Sequence, residues 1–174
     1  MNQGIEPDRS RTKGQARGSP RSSAFLLAQV GAHAADQFGE RLKRLQVSRP
    51  HAGILRMIGL SPGLSQQELG RRLRTLPSRL VVLLDELQGK RFIERRPDPG
   101  DRRAYALHLT PAGQTTLEEV GRIAREHDAA ICAALSEEEK QQLGFLLSRI
   151  AEEQGLVPGV HPGYRRLGRK PSRV

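Results

Sequence analysis

Arginine dominates the residues of this chain that are able to do chemistry, and the chemistry is recognition rather than bond-making. Arg71, Arg72 and Arg74 fall within four positions, and Ser78 and Arg79 follow closely. Arg95 and Arg96 then lead into Pro97-Asp98-Pro99-Gly100-Asp101-Arg102-Arg103. A guanidinium is planar, permanently charged and presents paired N–H donors that match a phosphate or a guanine edge. At the start of a helix such a group reads guanine with a discrimination of about 1–3 kcal/mol. At the tip of a tight turn, which Pro99 and Gly100 permit, it gains from the negative potential of a narrow minor groove. Asp101 would oppose phosphate, so its expected role is an internal ion pair that holds the tip in shape.

The elements that must position these groups are legible around them. Ser65 with Glu68 has the spacing of a capping box and opens a short amphipathic helix that ends near Arg71 and Arg72. A second helix starts at Leu76 or Pro77 and runs to Gln88, with Val82, Leu83 and Leu87 as its expected buried stripe. Phe92–Arg96 and Tyr105–Leu109 read as two strands around the arginine-tipped turn. In a helix–turn–helix the second helix enters the major groove and the first crosses the backbone. Ser78 and Arg79 are thereby assigned to base edges. Arg71, Arg72, Arg74, Arg95 and Arg96 are assigned to phosphates, and Arg102 and Arg103 to the wing tip.

Helices flank this reader. Leu27, Val30, Ala34, Phe38, Leu42 and Leu45 follow three- and four-residue steps, predicting one long helix over 23–46. Pro50 suits the first turn of a helix carrying Ile54, Leu55 and Ile58. Thr110-Pro111 caps and starts another, with Leu117, Val120, Ala124, Ile131 and Leu135 on its apolar face. Ser136 with Glu139 forms a second capping box, and Leu143, Leu146, Leu147 and Ile150 continue the stripe. The outer helices carry more apolar surface than so small a reader has room to bury, which points to a homodimer. The expected organisation is a basic disordered arm over 1–21 and a domain over 22–154, followed by a basic disordered tail over 155–174. Within the domain, the reader spans about 50–109 and dimerisation helices about 23–46 and 111–154.

Charge and composition narrow the class of function. Of the net +10, residues 1–21 hold five basic against two acidic side chains, and 155–174 hold five against none. Residues 65–103 hold ten against six, so the putting of positive charge on the reader is local as well as global. Basic patches draw polyanions by neutralising phosphates. No apolar run approaches the roughly 18 residues of a membrane span, and the polar N-terminus does not read as a secretory signal. The single cysteine, Cys132, excludes an internal disulfide framework and suits the cytoplasm. His33, His51, His108, His127 and His161 match no zinc spacing, and no Gly-rich phosphate loop is present. The expectation is a protein that is not an enzyme, takes no cofactor or metal, and binds double-stranded DNA.

Residues 23–154 resemble the MarR family of bacterial winged helix–turn–helix regulators. The resemblance rests on Leu64-Ser65-Gln66-Gln67-Glu68-Leu69, on Leu83-Leu84-Asp85-Glu86-Leu87, and on Ile93 through Gly113 with its Asp-Pro-Gly-Asp-Arg-Arg and Leu-Thr-Pro-Ala-Gly pieces. It implies a mainly α fold of the α+β winged-helix type. A two-stranded wing and helix–turn–helix core would be flanked by N- and C-terminal dimerisation helices. It further implies a homodimer on a pseudo-palindromic operator, acting most simply as a repressor, with Arg102 or Arg103 in the minor groove. Two positions depart from the family pattern: Arg74 stands where a small residue or glycine is common, and Leu80-Val81-Val82 is less polar than the usual reading helix. The rival reading is a winged helix used as a protein-interaction module, with Leu80-Val81-Val82 on its docking surface. A pocket for a small anionic or phenolic effector would lie near His33, His51, Arg56 and Met57, where Arg56 or protonated His51 would pair an anion. Ordinary packing and surface roles outweigh that for these four residues, and Cys132 reads as a small hydrophobe rather than a redox switch.

Overall fold

The computed structural model describes residues 22–97, 105–161 and Tyr164. Asp101, Arg102 and Arg103, the arms 1–21 and 165–174, and the rest of the wing tip lie outside the described residues. The chain divides into two compact units, Met1–His33 and Ala34–Val174, and helix α1 (Ser23–Leu42) runs through the boundary. In the first unit the described residues from Ser23 onward are helical, with Phe25, Leu26, Leu27 and Val30 exposed. The long helix expected over 23–46 stops four residues early. A single 3-10 turn, Lys43–Leu45, follows it, and Gln46 in the left-handed region (φ 55°) ends the run.

In the second unit, helix α2 (Arg49–Leu60) begins with a reciprocal cap. The Ser48 hydroxyl accepts from the His51 N–H at 3.4 Å, and His51 Nδ1 accepts from the Ser48 N–H at 3.2 Å. A buried histidine thus takes the place that glutamate usually fills. After α2, Gly63 (φ 88°) donates its N–H to the Leu107 carbonyl at 3.0 Å and swings the chain into strand β1 (Leu64–Ser65). β2 (Ile93–Pro97) and β3 (Tyr105–Leu109) form the hairpin. The sheet is antiparallel in the order β1-β3-β2, with Leu64 opposite Leu107 and Arg95 opposite Leu107 on the other side. The two-stranded wing is present as the β2–β3 hairpin, and a two-residue strand, β1, backs it on the other side of β3.

Helices α3 (Gln66–Leu73) and α4 (Pro77–Gly89) complete the reader. Ile54, Leu55, Ile58, Leu69, Leu73, Leu84, Leu87 and Leu107 are all essentially inaccessible in one cluster. Each such side chain contributes about 1.5–3 kcal/mol through removal from water.

Helix α5 (Pro111–Ile131) starts where expected. Thr110 Oγ1 accepts from the Gly113 N–H at 3.0 Å and donates to the Arg91 carbonyl at 2.6 Å, so one hydroxyl caps the helix and ties it to the chain entering β2. Gly113 must be glycine, because a Cβ there would stand 1.8 Å from the Phe92 carbonyl oxygen. Val120 and Ile123 face the core, whereas Ala124 is exposed. Helix α6 (Glu137–Glu153) carries the anticipated capping box, with the Ser136 N–H donating to Glu139 at 2.8 Å and the Glu139 N–H to the Ser136 hydroxyl at 3.2 Å. It buries none of its residues.

The expectation of a disordered tail from 155 onward is corrected for its first part. Residues 155–161 are described, and Tyr164 is only 6% exposed within the core cluster. Its hydroxyl donates to the Pro50 carbonyl at 2.7 Å. An aromatic ring removed from water gives this segment what its glycines and prolines do not, an apolar gain able to offset the entropy of ordering. No helix among the described residues is long and apolar enough to cross a membrane.

Candidate nucleic-acid interface

The site is built on the α3–turn–α4 unit. Ser65 accepts from the Glu68 N–H at 3.2 Å, but the box foreseen from its spacing is only half formed. The Glu68 carboxylate turns instead to Arg71 and Arg72, the latter with Nε at 2.7 Å, because two cations at i+3 and i+4 compete for it. Arg74 closes α3 in the left-handed region (φ 51°), and its N–H and that of Thr75 satisfy the last carbonyls of the helix. A non-glycine residue held there costs about 1–2 kcal/mol. Leu76 is extended (ψ 139°), as the residue before proline must be, and Pro77 sets the first turn of α4. Gly70 lets the two helices approach closely, with Leu80 Cδ2 3.3 Å from where a Cβ would sit.

Burial along α4 separates its two faces. Leu80, Leu83, Leu84 and Leu87 point inward. Ser78, Val81, Val82 and Asp85 are exposed on the opposite side. This corrects the expected stripe: Val82 is 44% exposed and Leu80 takes its place inside, so only Val81 and Val82 of the Leu80-Val81-Val82 run belong to the outer face. Three consecutive apolar residues fit a helical stripe in more than one phase, and close packing on Gly70 selects Leu80. Ser78 lies on the outer face as expected. Arg79 does not: it is half-buried and its Nε is enclosed with no hydrogen-bond partner.

The arginines around this face are mostly held by the chain's own carboxylates. Arg71 and Arg72 share Glu68, and Arg72 also donates to the Ser61 hydroxyl at 3.1 Å. Arg95 donates to Asp85 at 2.7 Å and to Gln88, which pins the base of the wing to α4. Arg96 places two of its nitrogens on one oxygen of Glu94, at 2.8 and 2.5 Å. Arg74 is exposed at the turn. Surface pairs of this kind contribute roughly 0–1 kcal/mol, so a phosphate can displace them at small cost.

Behind the site, His51 links α2 to α4. Its Nε2 lies 2.8 Å from a Glu86 carboxylate oxygen while Nδ1 accepts from the Ser48 N–H. Burial holds His51 below the ordinary histidine range; Glu86 acts against that, and Lys90 and Arg79 reinforce it. With Nδ1 accepting from Ser48, the neutral ring carries its proton on Nε2, on the side of the Glu86 carboxylate. Spacing alone did not reveal this role, although Ser48 three residues ahead of His51 was the available signal. Of the other residues considered for an effector, Arg56 lays its guanidinium about 3.5 Å from the Cβ position of Gly159, and Met57 packs on the core cluster. His33 is exposed in the first unit. A small cavity of about 30 Å³ is lined by Leu73, Arg74, Gly155, Leu156, Val157, Val160 and His161, none of which is among those four. Cys132 is partly buried at the C-terminal end of α5.

A helix–turn–helix with its outer face clear, backed by a three-stranded sheet and flanked by a hairpin wing, defines a winged helix–turn–helix protein. Residues 45–104 match the model of the MarR family. A protein named as a regulator of the hcr operon in Thauera aromatica is 34% identical over 106 residues, which cover 61% of this chain and 64% of that one. The HTH-type transcriptional regulator BilQ of Clostridium symbiosum is 36% identical over 95 residues, covering 55% and 66%. The matches thus span just under two thirds of the length of both relatives. Among solved structures, the Mycobacterium tuberculosis MarR family protein Rv2887 in complex with DNA superposes with a TM-score of 0.66 at 25% identity, over 75% of this chain and 98% of that one. Over these residues the chain is similar to the MarR family, and its fold is that of a winged helix–turn–helix protein.

Proposed function

We propose that this protein is a dimeric transcriptional regulator that binds duplex DNA through α4 and the wing, and acts as a repressor by occupying a promoter. The observation that carries the reading is the clear outer face of α4, with Ser78, Val81 and Val82 exposed and the exposed Arg71, Arg72 and Arg74 at its leading edge. A helix so presented fits the major groove, with Ser78 toward base edges and Val81 and Val82 able to meet thymine methyl groups. Arg102 and Arg103 remain the residues proposed for the minor groove, on their place in the sequence between β2 and β3. The names of the relatives, and the DNA in the Rv2887 complex, favour the same reading.

Dimerisation is proposed from α6. Leu143, Leu146, Leu147 and Ile150 recur at helical spacing on one face, each between 37% and 46% exposed. An amphipathic stripe of this kind left open in one copy is what a second copy covers.

Fluorescence anisotropy on DNA from upstream of the protein's own gene, with random DNA of equal length as competitor, tests the reading. Binding that survives competition at one dimer per site is expected, and equal binding to both DNAs would overturn sequence recognition. The second reading, a protein-docking winged helix, is favoured by the apolar exposure of Leu76, Val81 and Val82. Arg102→Ala with Arg103→Ala separates the two: loss of DNA binding with the fold intact is the expected result.

A further inference from the structure

The segment after α6 returns to the reader, and the way it does so has a consequence for the dimer. α6 is capped by Gln154, and Gly155 (φ 61°) reverses the chain, with the Leu156 N–H donating back to the Ala151 carbonyl at 2.9 Å. This is a Schellman-type stop, which glycine allows without strain. Val157 and Val160 then line the cavity against Leu73 and Arg74, at the turn between α3 and α4. Gly159 (φ 71°) passes beside the Arg56 guanidinium. Tyr164 ends the path in the core, its hydroxyl on the Pro50 carbonyl. Its ring lies directly on Gly53, where a Cβ would stand 2.0 Å from Oη and 2.9 Å from Cζ. Gly53 sits in the middle of α2, a position where alanine would favour the helix.

α6 itself buries no residue, so its attachment to the body along its length is weak and its two ends carry much of it. One end is the connection from α5, and the other is this segment. A helix of 17 residues is about 25 Å long, so a swing of about 10° around one end moves the other by about 4 Å. That is close to the rise of one base pair, about 3.4 Å along a strand.

We propose that residues 155–161 together with Tyr164 act as a strap, with Tyr164 as its pin and Gly53 as its socket, that fixes the direction of α6 relative to the reader and so sets the distance between the two readers of the dimer. The proposal rests on the dimeric, DNA-binding reading above. Tyr164 is a positioning residue in it, acting through α6 and never touching DNA.

Two measurements on the full chain test it. The first is thermal unfolding of the wild type, Gly53→Ala, Tyr164→Ala and the double variant at one protein concentration. A shift of about 2–4 °C accompanies each kcal/mol in a chain of this size. Gly53→Ala is expected to lower the midpoint by at least that much in the wild type, where Tyr164 fills the space. In the Tyr164→Ala background the same change is expected to raise the midpoint, as alanine in a helix should. An equal fall in both backgrounds overturns the pin. The second is selection of binding sites from random duplex DNA. The wild type is expected to enrich two half-sites at a single spacing, and Tyr164→Ala the same half-site at several spacings. One unchanged spacing for Tyr164→Ala overturns the strap's role. Gly53→Ala, which leaves the tyrosine in place but denies it the socket, is expected to match Tyr164→Ala and serves if that variant does not fold. Enrichment of no paired motif by the wild type overturns the DNA reading and the spacing role together, while the thermal cycle still decides the pin.

Discussion

The reader and α6 are built from the same kind of sequence and end in opposite conditions. Both have leucines at three- and four-residue steps, and both have serine-capped helix starts. In the reader those leucines vanish from solvent: Leu69, Leu84 and Leu87 are wholly inaccessible. In α6 the equivalent stripe stays open, with Leu146 at 44% and Ile150 at 46% exposure. Periodicity therefore reports that a face wants cover without reporting what covers it. The reader's cover comes from the same chain, because β1, β3 and α2 enclose it.

The comparison is broken most sharply by replacing leucines on each side. Leu84→Ala is expected to destabilise the fold by about 2–5 kcal/mol in chemical denaturation, through lost burial and a residual cavity. Leu146→Glu with Leu147→Glu is expected to leave unfolding of dilute protein within about 0.5 kcal/mol of wild type, as surface changes do. The same pair should convert the dimer to monomer in sedimentation velocity. A reader-sized loss of stability without any change of mass would show that α6 is covered within its own chain.

The caps give a smaller version of the same contrast. Thr110→Ala removes both the α5 cap and the link to the Arg91 carbonyl, and should cost about 1–2 kcal/mol of global stability. Ser136→Ala removes a cap of comparable geometry from a helix the core does not hold. Its loss should appear as faster amide exchange in the first turn of α6, with the denaturation midpoint little moved. Equal effects on the midpoint would mean that α6 unfolds together with the reader.

The least of these effects is a pH dependence confined to the reader. His51 is held below its ordinary value, so the folded chain takes up its proton later than the unfolded chain does. The unfolded state then binds more protons as pH falls through the ordinary histidine range near 6.5, and stability declines. Denaturation midpoints should fall with pH across that window, and His51→Gln should flatten the slope. An unchanged slope in that variant would assign the dependence to another group.

Local chemistry in the sequence was enough to place most elements of the reader. The Thr110 and Ser136 caps, the prolines at 77 and 111 and the two hairpin strands all depend on neighbours within four residues or on an alternating pattern. What was not legible depends on choices made at a distance. A two-residue strand such as β1 has too few positions to show a period, and it exists because Leu64 finds Leu107. The half-formed box at Ser65 reflects competition by Arg71 and Arg72 for Glu68. The inward turn of Arg79 and the outward one of Val82 follow from how α4 packs on Gly70. Tyr164 was visible as the one large ring in its tail, but its partner Pro50 lies 114 residues away.

The carboxylates that hold the site's arginines alter how binding would respond to salt. Arg71, Arg72, Arg74, Arg95 and Arg96 bring five cations, and Glu68, Asp85 and Glu94 already occupy four of them. Across this group the balance is two positive charges. Contact with a DNA strand here is largely an ion exchange in which one anion replaces another, and the protein's own side chains play the part of departing counterions. At about −0.9 in the slope of log K against log salt for each phosphate neutralised, this surface should register nearer two phosphates than five.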